Sequence, residues 1–228
     1  MAENTLILGS KEPPNVPNIR VTEIFSSNGS AELAEHYIKK IGKVRHTCAI
    51  GAKSFLKLND IKSRVTKSNP DTLIIRDYEE AYSEINSLFS KDTEIIKFTK
   101  KEQFLFQRNF FNKGLMDIFS AELKYKKKLF EKISHLILCF SRDGFFGVST
   151  GFYALLYASK KYPNANLILS GLSFEGGGHF YKTGKMTLNR GIVDNFLFYK
   201  LKKDIKKRIY TSDIDVAEKF NLKKITDI

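Results

Sequence analysis

Short apolar runs recur along the chain, each closed by small or polar residues. Thr5-Leu-Ile-Leu8 ends at Gly9-Ser10. Ile19 to Phe25, His46 to Ile50, Thr72 to Arg76, Glu94 to Phe98 and Asn166 to Ser170 follow the same rule, with a shorter run at Arg208 to Thr211. Continuous apolar runs of this length read as buried strands. Between them the apolar period lengthens. The spacing predicts helices over Ala31 to Ile41 after the polar break Ser26 to Ser30, near Tyr78 to Phe89, over Phe152 to Ala158, near Asp194 to Lys203 and over Asp213 to Phe220. Strands alternating with helices predict a Rossmann-like α/β fold, a mostly parallel sheet with helices on both faces. Lys100 to Ile133 interrupts the alternation. It is helical in pattern, aromatic and basic, and reads as an inserted helical lid near 100–133 in a single 1–228 domain. Leu136 to Phe140 reads as one further short strand.

At 228 residues and 42% apolar, the chain can build one ordinary core, with Phe and Tyr supplying the aromatic bulk that Trp does not. The formal charge of +13 favours anionic partners. It gathers at Lys124 to Lys128 and at Lys200 to Arg208. Such runs are ordinarily solvated helix faces; an acidic acceptor or an anionic membrane surface is the alternative they leave open. Nucleic acid is disfavoured, because no RNP-type aromatic motif or helix-turn-helix accompanies the charge. Cys48 and Cys139 are too few for a disulfide framework and sit in apolar runs. With no signal-peptide pattern at the start and no run near the ~20 residues of a membrane span, the expected location is cytoplasmic, peripheral at most to the inner membrane.

The candidate chemistry lies where strands end and helices begin. Gly9-Ser10 can approach a nucleotide or simply turn the chain. Asn28 offers a donor and an acceptor that suit a ribose or a pyrimidine, or it shapes its turn. Ser149-Thr150-Gly151 opens a helix whose N–H groups can hold a phosphate or be capped by Ser149. His179 and Tyr181, in a loop flanked by Gly176-Gly-Gly178, can move a proton. Arg190 can neutralise a carboxylate or phosphate, and Asp194 can cap the next helix. Asp213-Ile-Asp215 imitates a metal-binding Asp-x-Asp, but Ser212 and Asp213 read as helix-start residues; no zinc spacing, Walker sequence or Gly-x-Ser-x-Gly elbow is present.

Leu6-Ile-Leu-Gly-Ser10, Phe25-Ser-Ser-Asn28-Gly and, above all, Val148-Ser-Thr-Gly151 through Tyr181 resemble the bacterial sialyltransferase-like glycosyltransferases. The resemblance covers about half the chain. It implies transfer of a sialic-acid or Kdo-like sugar from a CMP donor to a glycan or lipid-linked acceptor, with no metal cofactor. It places CMP against Gly9, Ser10, Asn28, Ser149, Thr150 and Gly151, with Ser173 and Phe174 lining the nucleotide and Tyr181 assisting departure of the phosphate. One departure matters. Where the family carries a general-base His in an Arg-Gly-His setting, this chain has Arg190-Gly-Ile192, and Ile192 takes no proton. His179 or Asp194 is left to replace it, or the chain is a catalytically impaired nucleotide- or glycan-binding member of the fold.

Overall fold

The computed structural model describes residues 3–11, 16–125, 128, 130–133, 147–174 and 190–227. The expected strand at 136–140, the glycine run at 176–178, His179 and Tyr181 lie outside them. The described residues form one eight-stranded, wholly parallel sheet in a Rossmann-like α/β arrangement, with strands β1 (Asn4–Leu8), β2 (Glu23–Ser27), β3 (Arg45–Gly51), β4 (Thr72–Arg76), β5 (Glu94–Lys97), β6 (Asn166–Ser170), β7 (Ile209–Thr211) and β8 (Lys223–Lys224). Their order across the sheet is β5-β4-β3-β2-β1-β6-β7-β8. The chain therefore walks outward from β1 to β5, then returns to lay β6 on the other side of β1. Ligands of open α/β sheets bind at such a reversal, beyond the carboxyl ends of the strands.

The helices are α1 (Ala31–Ile41), α2 (Ala52–Lys57), α3 (Asn59–Ser68), α4 (Lys100–Gln107), α5 (Leu115–Tyr125), α6 (Thr150–Lys161), α7 (Gly191–Lys200), α8 (Lys203–Lys206) and α9 (Ile214–Phe220). The stretch expected as a helix near Tyr78 to Phe89 is a 3₁₀ segment, Glu80–Leu88. None of the described helices is long and apolar enough to cross a membrane.

Alternation along the strands puts core on both faces. Ile7, Phe25, Ala49, Ile74, Leu167 and Leu169 pack with α6, α4, α5, α7 and α9. Their sequence neighbours Leu6, Leu8, Ile24 and Ile168 face α1, and Cys48, Ile50, Leu73 and Ile75 face α2 and α3. Strands buried on both faces lose the apolar–polar alternation, which is why they read as continuous apolar runs.

The element that positions the site is α6. Gly151 to Leu156, Ala158 and Ser159 are buried, and the helix crosses β1, β2 and β3. Its lower end is pinned by the fully buried carboxylate of Glu23, which accepts from Lys161 Nζ at 2.7 and 2.9 Å and from the hydroxyls of Thr47 and Tyr162. A buried carboxylate needs such compensation, since an unpaired one is strongly disfavoured.

A candidate nucleotide site at the carboxyl ends of the strands

The three turns singled out in the sequence meet above the sheet. Gly151 in the first turn of α6 lies against both the end of β2 and the loop after β6. A Cβ built on it would come within 3.4 Å of Ser27 Oγ and 2.6 Å of Leu172 Cδ2. Asn28, directly after β2, sits in the left-handed region at φ 50°, where Asn is one of the few tolerated side chains. Its Oδ1 is buried and has no hydrogen-bond partner among the described residues. A buried acceptor left open beside a helix start is a point where a ligand donor would be favoured.

The approach to α6 is held by three helices at once. Gly147 N–H donates to Glu122 Oε1 of α5 at 2.8 Å, Val148 N–H to Gln107 Oε1 of α4 at 2.8 Å, and Ser149 N–H to Asp194 Oδ1 of α7 at 2.8 Å. Ser149 is the N-cap, its Oγ accepting from Phe152 N–H at 3.3 Å. Capping therefore occupies Ser149, and the N–H groups of Thr150 and Gly151 are the donors of the first turn that no side chain among the described residues takes. Helix geometry leaves these N–H groups without a partner inside the helix.

Beneath this turn lies a buried polar cluster. Arg76, at the end of β4 and 1% exposed, donates from Nε to Gln103 Oε1 at 2.9 Å and from a terminal nitrogen to Val148 O at 2.8 Å, with its guanidinium 4.6 Å from the ring centre of Tyr153. Arg190 forks onto the buried carboxylate of Glu122, one arm at 3.1 Å, and also donates to Gly147 O. Arg190 was expected to face a ligand anion; in the structure an internal carboxylate takes its guanidinium. Asp194 is buried in the first turn of α7. Burial pushes its carboxyl up to about 6, opposed by the hydrogen bonds from Ser149 and by the charges of Arg190 and Arg76. It helps to hold the backbone of α6 through Ser149 N–H.

The remaining expected site residues divide. Ser10 is buried, and Gly9 presses on the loop after β6. A Cβ on Gly9 would lie 2.0 Å from Gly171 O. Gly9 N–H bonds Ser170 O at 2.8 Å and Lys11 N–H bonds Gly171 O at 2.9 Å. The missing Cβ is thus used for backbone-to-backbone approach across the reversal. Phe174 is a core residue, its ring centre 4.9 Å from Phe198 and 4.8 Å from Phe220. Ser173 lines a cleft of about 480 Å³ with Lys11, Asp215 and Lys219.

The Asp-x-Asp pair is spoken for. Asp213 accepts from Gly171 N–H at 2.7 Å, and Asp215 pairs with Lys11 at 2.9 Å. Ile192, at the position where the resemblance expects a base, is 50% exposed.

Sequence reading missed Glu122, Gln107, Gln103 and Arg76 as supports of the site. A signal existed for Glu122. It falls one turn from Ile118 and beside Ala121 on the buried side of α5, and a carboxylate at a core phase requires a partner.

Comparison of the chain with family models, with curated proteins and with solved structures returns no match in any of the three.

Proposed function

We propose that the chain is a nucleotide-binding glycosyltransferase of the sialyltransferase-like type, taking an acidic sugar from its CMP ester. The observation that carries this reading is that Asn28, with its open buried Oδ1, follows the strand end that Gly151 of α6 packs against, and that the Ser149 cap of α6 takes Phe152 N–H and leaves those of Thr150 and Gly151. One supplies an acceptor for a cytosine or ribose donor. The other supplies backbone N–H groups for a phosphate. As the sugar–phosphate bond breaks, charge grows on the phosphate, and donors already fixed in place stabilise it without reorganisation. Glu122, Gln107 and Asp194 fix them by holding the backbone at 147–149.

An acceptor hydroxyl must lose a proton on the opposite face of the sugar. Ile192 supplies no base, and Asp194 is turned inward to Ser149. The reading therefore assigns the base to His179 and assistance to the leaving phosphate to Tyr181, with a glycan or lipid-linked hydroxyl as acceptor and no metal taking part.

Ile192 and the inward Asp194 favour a second reading, a member of the same fold that binds CMP or a glycan without turnover. The test is release of CMP from CMP-sialic acid and CMP-Kdo in the presence of an acceptor panel. Release that depends on His179 supports the transferase; binding of CMP without release supports the second reading; neither binding nor release overturns both.

A further inference from the structure

We propose that the outward face of α7 docks on an anionic lipid bilayer. Ile192, Phe196 and Tyr199 recur at i, i+4 and i+7 and so share one side of the helix. Val193, Asp194, Leu197 and Phe198 occupy the other side and are buried. Ile192 and Tyr199 are each 50% exposed. The helix thus carries apolar residues on both sides; on the outward side Ile192 and Tyr199 are half exposed and Phe196, between them, is partly buried against the core. An isolated surface helix normally turns charge outward, as α1 does with exposed Lys39 and Lys40.

The strip is flanked by cations. Lys124 Nζ lies 4.5 Å and Lys200 Nζ 5.3 Å from the ring centre of Phe196, and Lys206 Nζ lies 5.4 Å from that of Tyr199. Tyr199 Oη donates to Lys219 O at 3.0 Å, which brings α9 and its lysine to the same edge. Exposed Lys202, Lys203 and Lys207 extend the charge beyond the lower end of α7, against exposed Asp204 and Glu218.

An apolar strip edged by lysines is the pattern of a helix lying in the plane of a bilayer interface, with the ammonium groups reaching the anionic headgroups. A second copy of the chain would bring lysine against lysine. A nucleic acid would leave the aliphatic Ile192 unused. An anionic bilayer satisfies both the charge and the apolar side chains. The strip begins at Ile192, two residues from the Asp194 that holds Ser149, so its upper end adjoins the start of α6. A lipid-linked hydroxyl would arrive there from the membrane side. The docking itself is independent of any transfer reaction and is read without nucleotide.

The test is co-sedimentation of the full chain with phosphatidylcholine vesicles, with and without phosphatidylglycerol, across a salt series. Binding is expected only to the anionic vesicles and weaker at high salt. The pair Ile192→Ser and Tyr199→Ser should weaken it by about tenfold or more, and Lys124→Gln and Lys200→Gln by about fivefold each. Tyr199→Trp should keep full binding. Circular dichroism confirms that each variant is folded; the glutamine variants, which leave every buried side chain in place, carry the test should the serine pair fail to fold. Absence of binding to anionic vesicles, binding indifferent to these substitutions, or occlusion of the face in a dimer seen by light scattering would overturn the proposal.

Discussion

Ser149 and Asp194 are joined by a hydrogen bond from the backbone N–H of the α6 N-cap to Oδ1 of a carboxylate in the first turn of α7, at 2.8 Å. It ties the start of the helix that would hold a phosphate to a helix 41 residues further along the chain. A carboxylate in a first helical turn is also favoured by the helix dipole, but here burial dominates and raises its pKa to about 6.

That shift sets a pH dependence. The folded carboxyl holds its proton more tightly than the unfolded one, so between about pH 4 and pH 6 the native state binds more protons. Its contribution is fully present below the unfolded value of 3.8 and is lost as pH rises through the folded value near 6. Asp194→Asn removes this downward contribution, so stability should rise more steeply with pH than in the parent chain in a series of urea denaturations across that window.

His46 acts with the opposite sign in nearly the same window. Burial lowers its imidazole from 6.5 to about 4, although Asp71 and Glu35 oppose the shift. Its Nε2 lies 2.7 Å from Ser26 Oγ in a fully buried pair. The unfolded imidazole takes up a proton first, so its contribution is present above pH 6.5 and lost as pH falls through 4. His46→Gln should remove this acid-side loss, and the double variant with Asp194→Asn should leave the least pH dependence of the three.

Arg76 is a stability test for the buried cluster. Arg76→Met removes the donors to Gln103 Oε1 and Val148 O and leaves both acceptors buried. The expected loss is about 3 kcal/mol in equilibrium denaturation. A loss below about 1 kcal/mol would mean that water reaches the cluster.

Gly9 and Gly51 give a paired steric prediction. Ala at 9 meets Gly171 O at 2.0 Å, whereas Ala at 51 meets nothing nearer than Ser54 Oγ at 3.9 Å. Gly9→Ala should cost about 3 kcal/mol, and Gly51→Ala about 0.5 kcal/mol or less, by the same measurement.

Much of the fold was legible from pattern. The run Thr5 to Leu8 became β1, and the helix over Ala31 to Ile41 and the strands Thr72 to Arg76 and Asn166 to Ser170 have the expected ends. These elements carry strong apolar patterns with polar stops. The second strand was shifted. Ile19 to Phe25 reads as strand from composition, but pairing with β1 and β3 begins at Glu23. The helices α2 and α3 were not read at all; their apolar residues, Ala52, Phe55, Ile61 and Val65, are few and divided by the turn at Leu58.

Of the candidate site, three turns were legible and the network beneath them was not. Asn28, Thr150 and Gly151 are local signals at strand and helix ends. The partners of Arg190 and Asp194 come from positions 68 and 45 residues away, and no local pattern reports such pairs. Phe174 borders the cleft beside Ser173 and also belongs to the core. The resemblance places it against the nucleotide; the contacts that three distant phenylalanines make with its ring are reported by no local pattern.

The proposed cytidine monophosphate site lies between Asn28 and the first turn of α6. It is tested most directly by titrating CMP, UDP, CDP and ADP in parallel into the full chain and into Asn28→Ala by calorimetry. CMP should bind in preference to UDP and ADP, and Asn28→Ala should weaken it by about tenfold, the worth of one buried hydrogen bond. No heat with CMP, or CMP binding that Asn28→Ala leaves unchanged, would contradict it.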